Sequence, residues 1–341
     1  PGGAGDLSAT ATISVRGPLT VSAGTPAIVT AGSSASATVV VTSHTNRAVV
    51  VQLTPSLPSG VTVSPTSPSV RVPARRRVRL TFTVAVAAGQ APARDQMSLA
   101  PSFTYRGKSY PLAAAALTVA IPYASLAAAY NGSAISDDGD IGAADFDGDG
   151  NSYSEQALTA AGLAPGAGVV VAGSTLQWPD VAAGAPDNVL ADGQTIAIPG
   201  ASPLDTQLAL LGASSGRQET GTGLVEYTDG TLQRFRLTFD NWFKKPVSAA
   251  DDTIASTPYM NDSTGSGNHG VVGKRYHRAR VFGVVILLRP GKTVANVMLP
   301  QVATLPGVYP MHIFALGLGG GPAPYTERGA RAGVQRDHRH G

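Results

Sequence analysis

Apolar residues alternate with Thr, Ser and Arg in short runs along the first third of the chain. ATATISV, PAIVTAG, SATVVVTSHT, AVVVQLT, RLTFTVAV and LTVAIPY follow one another between Leu7 and Tyr123. A two-residue period of this kind places one face of each run in a core and the other in solvent, the mark of a half-buried strand. PSLPSG and SPTSPS separate the runs, with Pro preset for turn positions. Strands about ten residues apart over little more than a hundred residues predict an immunoglobulin-like β-sandwich across residues 8–122, after a Gly-rich linker at 1–7.

Residues 123–318 predict a second sandwich of the jelly-roll kind. GVVVAG, STLQW, QTIAIPG, QLALLG, GLVEYT, TLQRFRLTF, RARVFGVVILL, TVANVMLP and MHIFALGLG all read as strands. Asp229-Gly230 between two of them is a strong hairpin signal. One stretch departs from the two-residue period. SYSEQALTAAG predicts a single short helix, with Ser152 and Glu155 as a capping box and Gly162 and Pro165 as the stop. The final residues, 319–341, carry no apolar period and are expected to form a disordered tail. The fold class is therefore all-β, with one short helix.

Composition narrows the chemistry. The chain has no Cys among its 341 residues, which removes disulfide and thiol chemistry. Its net charge is only +3, with arginines gathered at Arg71, Arg75, Arg76, Arg77 and Arg79 and again in the tail. That distribution shows no basic face interleaved with aromatic residues, so it argues against nucleic acid. The Arg75–Arg79 cluster reads either as a solvated turn and outward strand face or as a docking point for anionic wall polymers or a catalytic domain of the parent chain. No apolar run reaches the length of a membrane span. The chain opens at Pro1 without Met or a signal peptide, and reads as a piece cut from a longer precursor.

Two resemblances sharpen this picture. The segment LTVSAGTPAIVTAGSSASATVVVTSHTNRAVVVQLTPSLPSGVTVSP, with its turn Pro58-Ser59-Gly60-Val61, resembles the Ig-like α-galactosidase-associated (NPCBM-associated) domain found beside secreted bacterial glycosidases. Further on, SYSEQAL, LQWPDVAAGAPDNVLADGQTI, GTGLVEYTDGTLQRFRLTF, PGKTVANVMLP and MHIFAL recur in that order. They resemble the galactose-binding-like β-sandwich at the C-terminus of large secreted glycosidases, α-mannosidases among them. The resemblance implies a secreted, extracellular accessory region of a glycoside hydrolase, with a glycan and the parent's catalytic domain as partners.

Several motifs could carry chemistry. Asp137, Asp138, Asp140, Asp145, Asp147 and Asp149 crowd one loop. Asp145, Asp147 and Asp149 followed by Gly150 give D-x-D-x-D-G, the opening half of a calcium loop, so a structural calcium ion is one expectation. The second half is deficient, because Gln156 stands where a bidentate Glu belongs and Glu155 comes one residue early. The rival reading is a set of Asp-Gly turns with carboxylates near a helix N-terminus. Gly212-Ala213-Ser214-Ser215-Gly216 matches G-x-S-x-G, but turn and strand follow where a nucleophile elbow needs a helix. His269, His277 and His312 lack metal-ligand spacing. Glu219, Glu226 and Asp240 carry no signature of a glycosidase pair.

Sugar recognition needs aromatic platforms flanked by planar polar groups. Trp178, between Leu176 and Pro179, is expected in the core. Trp242, past a strand end in DNWFKKP, and Tyr259, Asn261 and Asp262 in the loop TPYMNDSTGSGNHG form the candidate carbohydrate site. Three functions stay open from sequence: a non-catalytic carbohydrate-binding accessory module, a structural spacer for an absent catalytic domain, and an independent hydrolase. The residues themselves favour no catalytic activity in this chain.

Overall fold

The alternation of the first third becomes alternation of burial. In the strand Ser34–Ser43 the side chains of Ala37, Val39, Val41 and Ser43 point inward and their neighbours outward. Arg77–Val86 beside it buries Phe82, Val84 and Val86, while Arg77, Arg79, Thr81 and Thr83 face out. The computed structural model describes residues 17–246, 252–266, 269–303 and 309–320. The linker at 1–7, the predicted strand ATATISV and residues 321–341 of the expected tail lie outside the described residues, while Gly319, expected to open that tail, ends the strand Met311–Gly319.

The chain divides into two compact units, Pro1–Pro122 and Tyr123–Gly341. In the first, one sheet runs Leu19–Ala23, Ser34–Ser43, Arg77–Val86, Val61–Ser64. The other runs Ala27–Ile28, Ala115–Ile121, Ala93–Tyr105, Val49–Ser56, Ser69–Val72, with Lys108–Pro111 folded back on the end of Ala93–Tyr105. Val39, Val41, Val51, Leu53, Phe82, Val84, Met97, Leu99 and Leu117 fill the space between them. Burying side chains of this size stabilises by roughly 1.5–3 kcal/mol each.

The second unit is also a sandwich. Its central strand, Gln207–Ser214, is buried at every position, as a continuous apolar run requires. Met311–Gly319 and Ala279–Leu287 flank it, with Val189–Leu190 and Asp252–Thr257 outside them. A four-stranded sheet carries Thr195–Ala197, Val294–Met298, Glu219–Tyr227 and Leu232–Phe239, the last two joined through Asp229-Gly230 with Gly230 at φ 76°. Trp178 is buried against Phe314, ring centroids 4.9 Å apart.

The helix spans Glu155–Ala160. Its cap differs from the expected box. Ser154, not Ser152, accepts from the Ala157 amide, which puts Glu155 at the first helical position. Ser152 is withdrawn from capping because its strand, Asn151–Ser154, carries it inward to the Ser136 hydroxyl, 2.7 Å away. Gly162 at φ 93° ends the helix, and the Leu163 amide returns to the Leu158 carbonyl at 2.9 Å.

Candidate functional site

The acidic loop folds around its own amides. Asp145 Oδ1 accepts from Gly148 N at 2.8 Å and Gly150 N at 3.1 Å. Asp147 Oδ1 accepts from the amides of Asp149 and Asn151 at 3.0 and 3.2 Å, and its Oδ2 from Asn151 Nδ2 at 3.0 Å. Asp149 is exposed, and its carbonyl is held by Thr264 Oγ1 at 2.8 Å. Two of the three carboxylates, Asp145 and Asp147, thus accept from the turn's own donors, and among the described residues no group of three or more His, Asp or Glu side chains is arranged to hold a metal. Burial raises the Asp147 carboxyl above its ordinary range despite its donors. Asp147→Ala is expected to cost about 1–3 kcal/mol, the penalty for orphaning donors in a partly buried loop. Melts in calcium and in chelator should drop equally. A calcium-dependent gain in the native protein that vanishes in the variant would return these carboxylates to a metal.

The residues expected to bind sugar are mostly interior. Trp242 is completely buried, 4.7 Å from Phe146 and 4.9 Å from Tyr153 by ring centroids. The turn after Phe239 folds back on the sandwich end, with Trp242 N donating to Ser214 O at 3.0 Å and Phe243 N to Asn241 Oδ1 at 2.9 Å. Asn261 is buried because its strand Met260–Asp262 pairs with Asn151–Ser154, and its Nδ2 donates to Ser136 Oγ at 3.0 Å. Asp262 Oδ1 accepts from the amides of Gly265 at 2.6 Å and Thr264 at 3.1 Å, tying its own loop. These three therefore depart from the expected loop-tip site.

Tyr259 alone of the four keeps open surface, and it belongs to an ionic cluster. Its hydroxyl donates to Asp138 Oδ2 at 2.7 Å. Lys274 Nζ stands 2.6 Å from that same oxygen and 4.5 Å from the Tyr259 ring centroid. Burial would raise the Asp138 carboxyl, but the donors Lys274, Ser154 and Tyr259 together hold it below the usual range.

Deeper in lies a polar relay. Asp187, 1 % exposed, accepts from Ile135 N at 2.9 Å, Ala134 N at 3.1 Å and Asn188 Nδ2 at 2.7 Å. Asn188 donates also to Gly132 O, which turns its Oδ1 toward His312 Nδ1 at 2.9 Å. That orientation places the His312 proton on Nδ1 and leaves Nε2 as a buried acceptor without a protein partner. Phe146 covers the imidazole, centroids 3.9 Å apart. Burial pushes Asp187 up to about 6 and His312 down to about 3. His277 and His269 are exposed and stand apart from this relay.

A family model described as an AziU2-like beta-sandwich domain matches residues 122–318, more than half of the chain. This chain belongs to the AziU2-like β-sandwich family. No curated protein sequence matches it. Among solved structures, the PapD-like domain of human CEP192 is similar at 10 % identity, with 35 % of this chain and 98 % of that one covered and a TM-score of 0.26. A family 123 glycoside hydrolase from Clostridium perfringens is similar at 13 % identity, covering 36 % and 30 %, TM-score 0.24. Tripeptidyl peptidase 2 is similar at 8 % identity, covering 88 % and 20 %, TM-score 0.31.

Within the AziU2-like domain the G-x-S-x-G motif is explained by packing. Ser214 lies inside the strand Gln207–Ser214, and the strand Glu219–Tyr227 comes next, so no elbow forms. A Cβ on Gly212 would run into the Phe239 ring, and one on Gly216 into the Tyr309 ring. The carboxylates are likewise engaged. Glu219 pairs with Arg217 at 2.8 Å, Asp240 accepts from Gln218 at 2.7 Å, and Glu226 from Asn296 at 2.7 Å.

Sequence reasoning missed a surface in the other unit. A groove of about 520 Å³ is lined by residues 45–50 and by Phe103, Thr104 and Tyr105. Val50 and Tyr105 are half exposed there, and Tyr110 stacks on Phe103 at 5.4 Å. The signal was present as the alternation F-x-Y-x-x-x-x-Y, which puts Phe103 and Tyr105 on one face. Residues 17–122 also hold nine Arg and Lys but a single acid, Asp95.

Proposed function

We propose that the chain is a non-catalytic accessory region of a secreted carbohydrate-active protein. In this reading the AziU2-like domain is a galactose-binding-like scaffold that supports the parent's catalytic domain, and the first unit carries the glycan contact. The non-catalytic reading is supported by the size of a cavity that two carboxylates line. Glu155 and Asp187 border a space of about 10 Å³, room for one water and none for a sugar ring. The glycan reading rests on the groove of the first unit, whose exposed rings offer faces for sugar C–H groups.

The full chain should therefore be retained by a polysaccharide in affinity electrophoresis while releasing no reducing ends from it. Tyr105→Ala combined with Tyr110→Ala should abolish most of the retardation and lower the melting temperature by no more than about 4–8 °C, since two exposed substitutions of about 0.5 kcal/mol each sum to about 1 kcal/mol. Retention by no polysaccharide would leave the spacer function standing. Hydrolysis lost on Asp240→Asn would establish the hydrolase instead.

A further inference from the structure

Among the described residues, the cations around the groove of the first unit have no acidic partner within ion-pair distance. All three ion pairs among the described residues lie in the AziU2-like domain. Arg47 lines the groove, and Arg75 reaches its rim through Nε and Nη2 bonds of 3.0 and 2.7 Å to Asn46 Oδ1. Arg106 lies over the Tyr105 ring at 5.3 Å, and Lys108 is the cross-strand partner of Tyr105. Arg71 pairs in register with Val50.

Two of these arginines occupy backbone positions that disfavour them. Arg75 has φ 56° and Arg106 φ 49°, and they are the non-glycine residues of positive φ among the described residues of this unit. Left-handed backbone costs a side chain of this kind about 1–2 kcal/mol, where Asn or Gly would sit more easily. Arg106-Gly107 forms the tight hairpin turn between Ala93–Tyr105 and Lys108–Pro111, a place where Asn-Gly is preferred. Strain retained at both rims of one groove points to a role for the guanidinium groups themselves.

We propose that this groove binds a uronic-acid polysaccharide, with sugar faces on Tyr105 and the Phe103–Tyr110 pair and sugar carboxylates on Arg47, Arg75 and Arg106. The proposal rests on reading the groove as a glycan contact and adds the charge of the polymer. A planar guanidinium donates two parallel N–H bonds to a carboxylate, so cations spaced between rings match a sugar that carries its acid on the ring. A phosphodiester polymer without ring faces would leave the tyrosines unused. Asn46 keeps its amide hydrogens for a hydroxyl, because its Oδ1 is the acceptor of the Arg75 bonds.

The full chain is titrated calorimetrically with polygalacturonate, alginate and hyaluronan, and with methyl-esterified polygalacturonate. Oligo(dT) and phosphatidylglycerol vesicles test the other anionic occupants. At least one uronate should bind, its affinity falling as salt is raised, with polygalacturonate about tenfold tighter than its ester if it is the one bound. Arg106→Asn should weaken uronate binding about tenfold while raising the melting temperature, because Asn relieves the left-handed turn. A merely structural Arg106 would not separate those two readouts. Equal binding of acidic and esterified polymer would overturn the proposal and leave the glycan reading intact. Binding of oligo(dT) or vesicles alone, or of nothing, would overturn the uronate proposal, and the glycan reading would fall with it only if affinity electrophoresis also showed no retention by neutral polysaccharides.

Discussion

Trp242→Ala should destabilise the AziU2-like domain by about 3–5 kcal/mol, the cost of emptying a fully buried indole site. The ring touches Phe146, Tyr153 and Phe243, so its loss opens a void where two sheets and the folded-back turn meet. A domain of ordinary stability would keep little margin after such a loss. Urea denaturation followed by fluorescence should show the midpoint falling by a large fraction of its original value. Trp242→Phe should recover part of it. A variant that melts like the native protein but no longer retains polysaccharide would put the indole back at a binding surface.

The second large effect is a dependence on pH that the native protein conceals. Asp187 has a folded value near 6 against an ordinary 3.8, so between these values the folded state holds a proton that the unfolded state lacks. Its contribution is lost as pH rises through that window. His312 behaves oppositely, with a folded value near 3 against an ordinary 6.5. The unfolded state holds the extra proton there, and stability rises with pH. Across roughly pH 4–6 the two slopes cancel, and folding leaves both groups neutral. His312→Phe should unmask Asp187, giving a stability that falls by on the order of 3 kcal/mol from pH 4 to 6.5 relative to the native profile. Asp187→Asn should tilt the profile the other way. Parallel profiles for all three proteins would show that neither group titrates in this window.

The elements were legible in the sequence where local pattern and burial coincide. The apolar alternation of Ser34–Ser43 and Arg77–Val86, the Asp229-Gly230 hairpin and the brief helix each follow from a few neighbouring residues. Trp242, Asn261 and Asp262 were not legible. Their surroundings D-N-W-F and M-N-D-S-T read as loop, and burial comes from chain segments a hundred residues away, such as Asn151–Ser154 against Met260–Asp262. The groove of the first unit was hidden for a similar reason. Arg71 meets Val50, and Val51 meets Phe103, only once strand register is known.

The order of strands in the central sheet has a consequence for synthesis. Gln207–Ser214 is buried at every position, yet both of its partners come later in the chain, Ala279–Leu287 and then Met311–Gly319. Tyr130 likewise waits for the Phe314 carbonyl, 184 positions away, to receive its hydroxyl bond at 2.9 Å. At about 5–20 residues per second, a ribosome exposes the apolar run QLALLGAS for several seconds before the last strand can emerge to cover it. The first unit, complete by Pro122, is already closed by then. A nascent chain stalled before residue 311 should therefore carry one finished sandwich followed by one sticky, unclosed sheet, the state most in need of a chaperone.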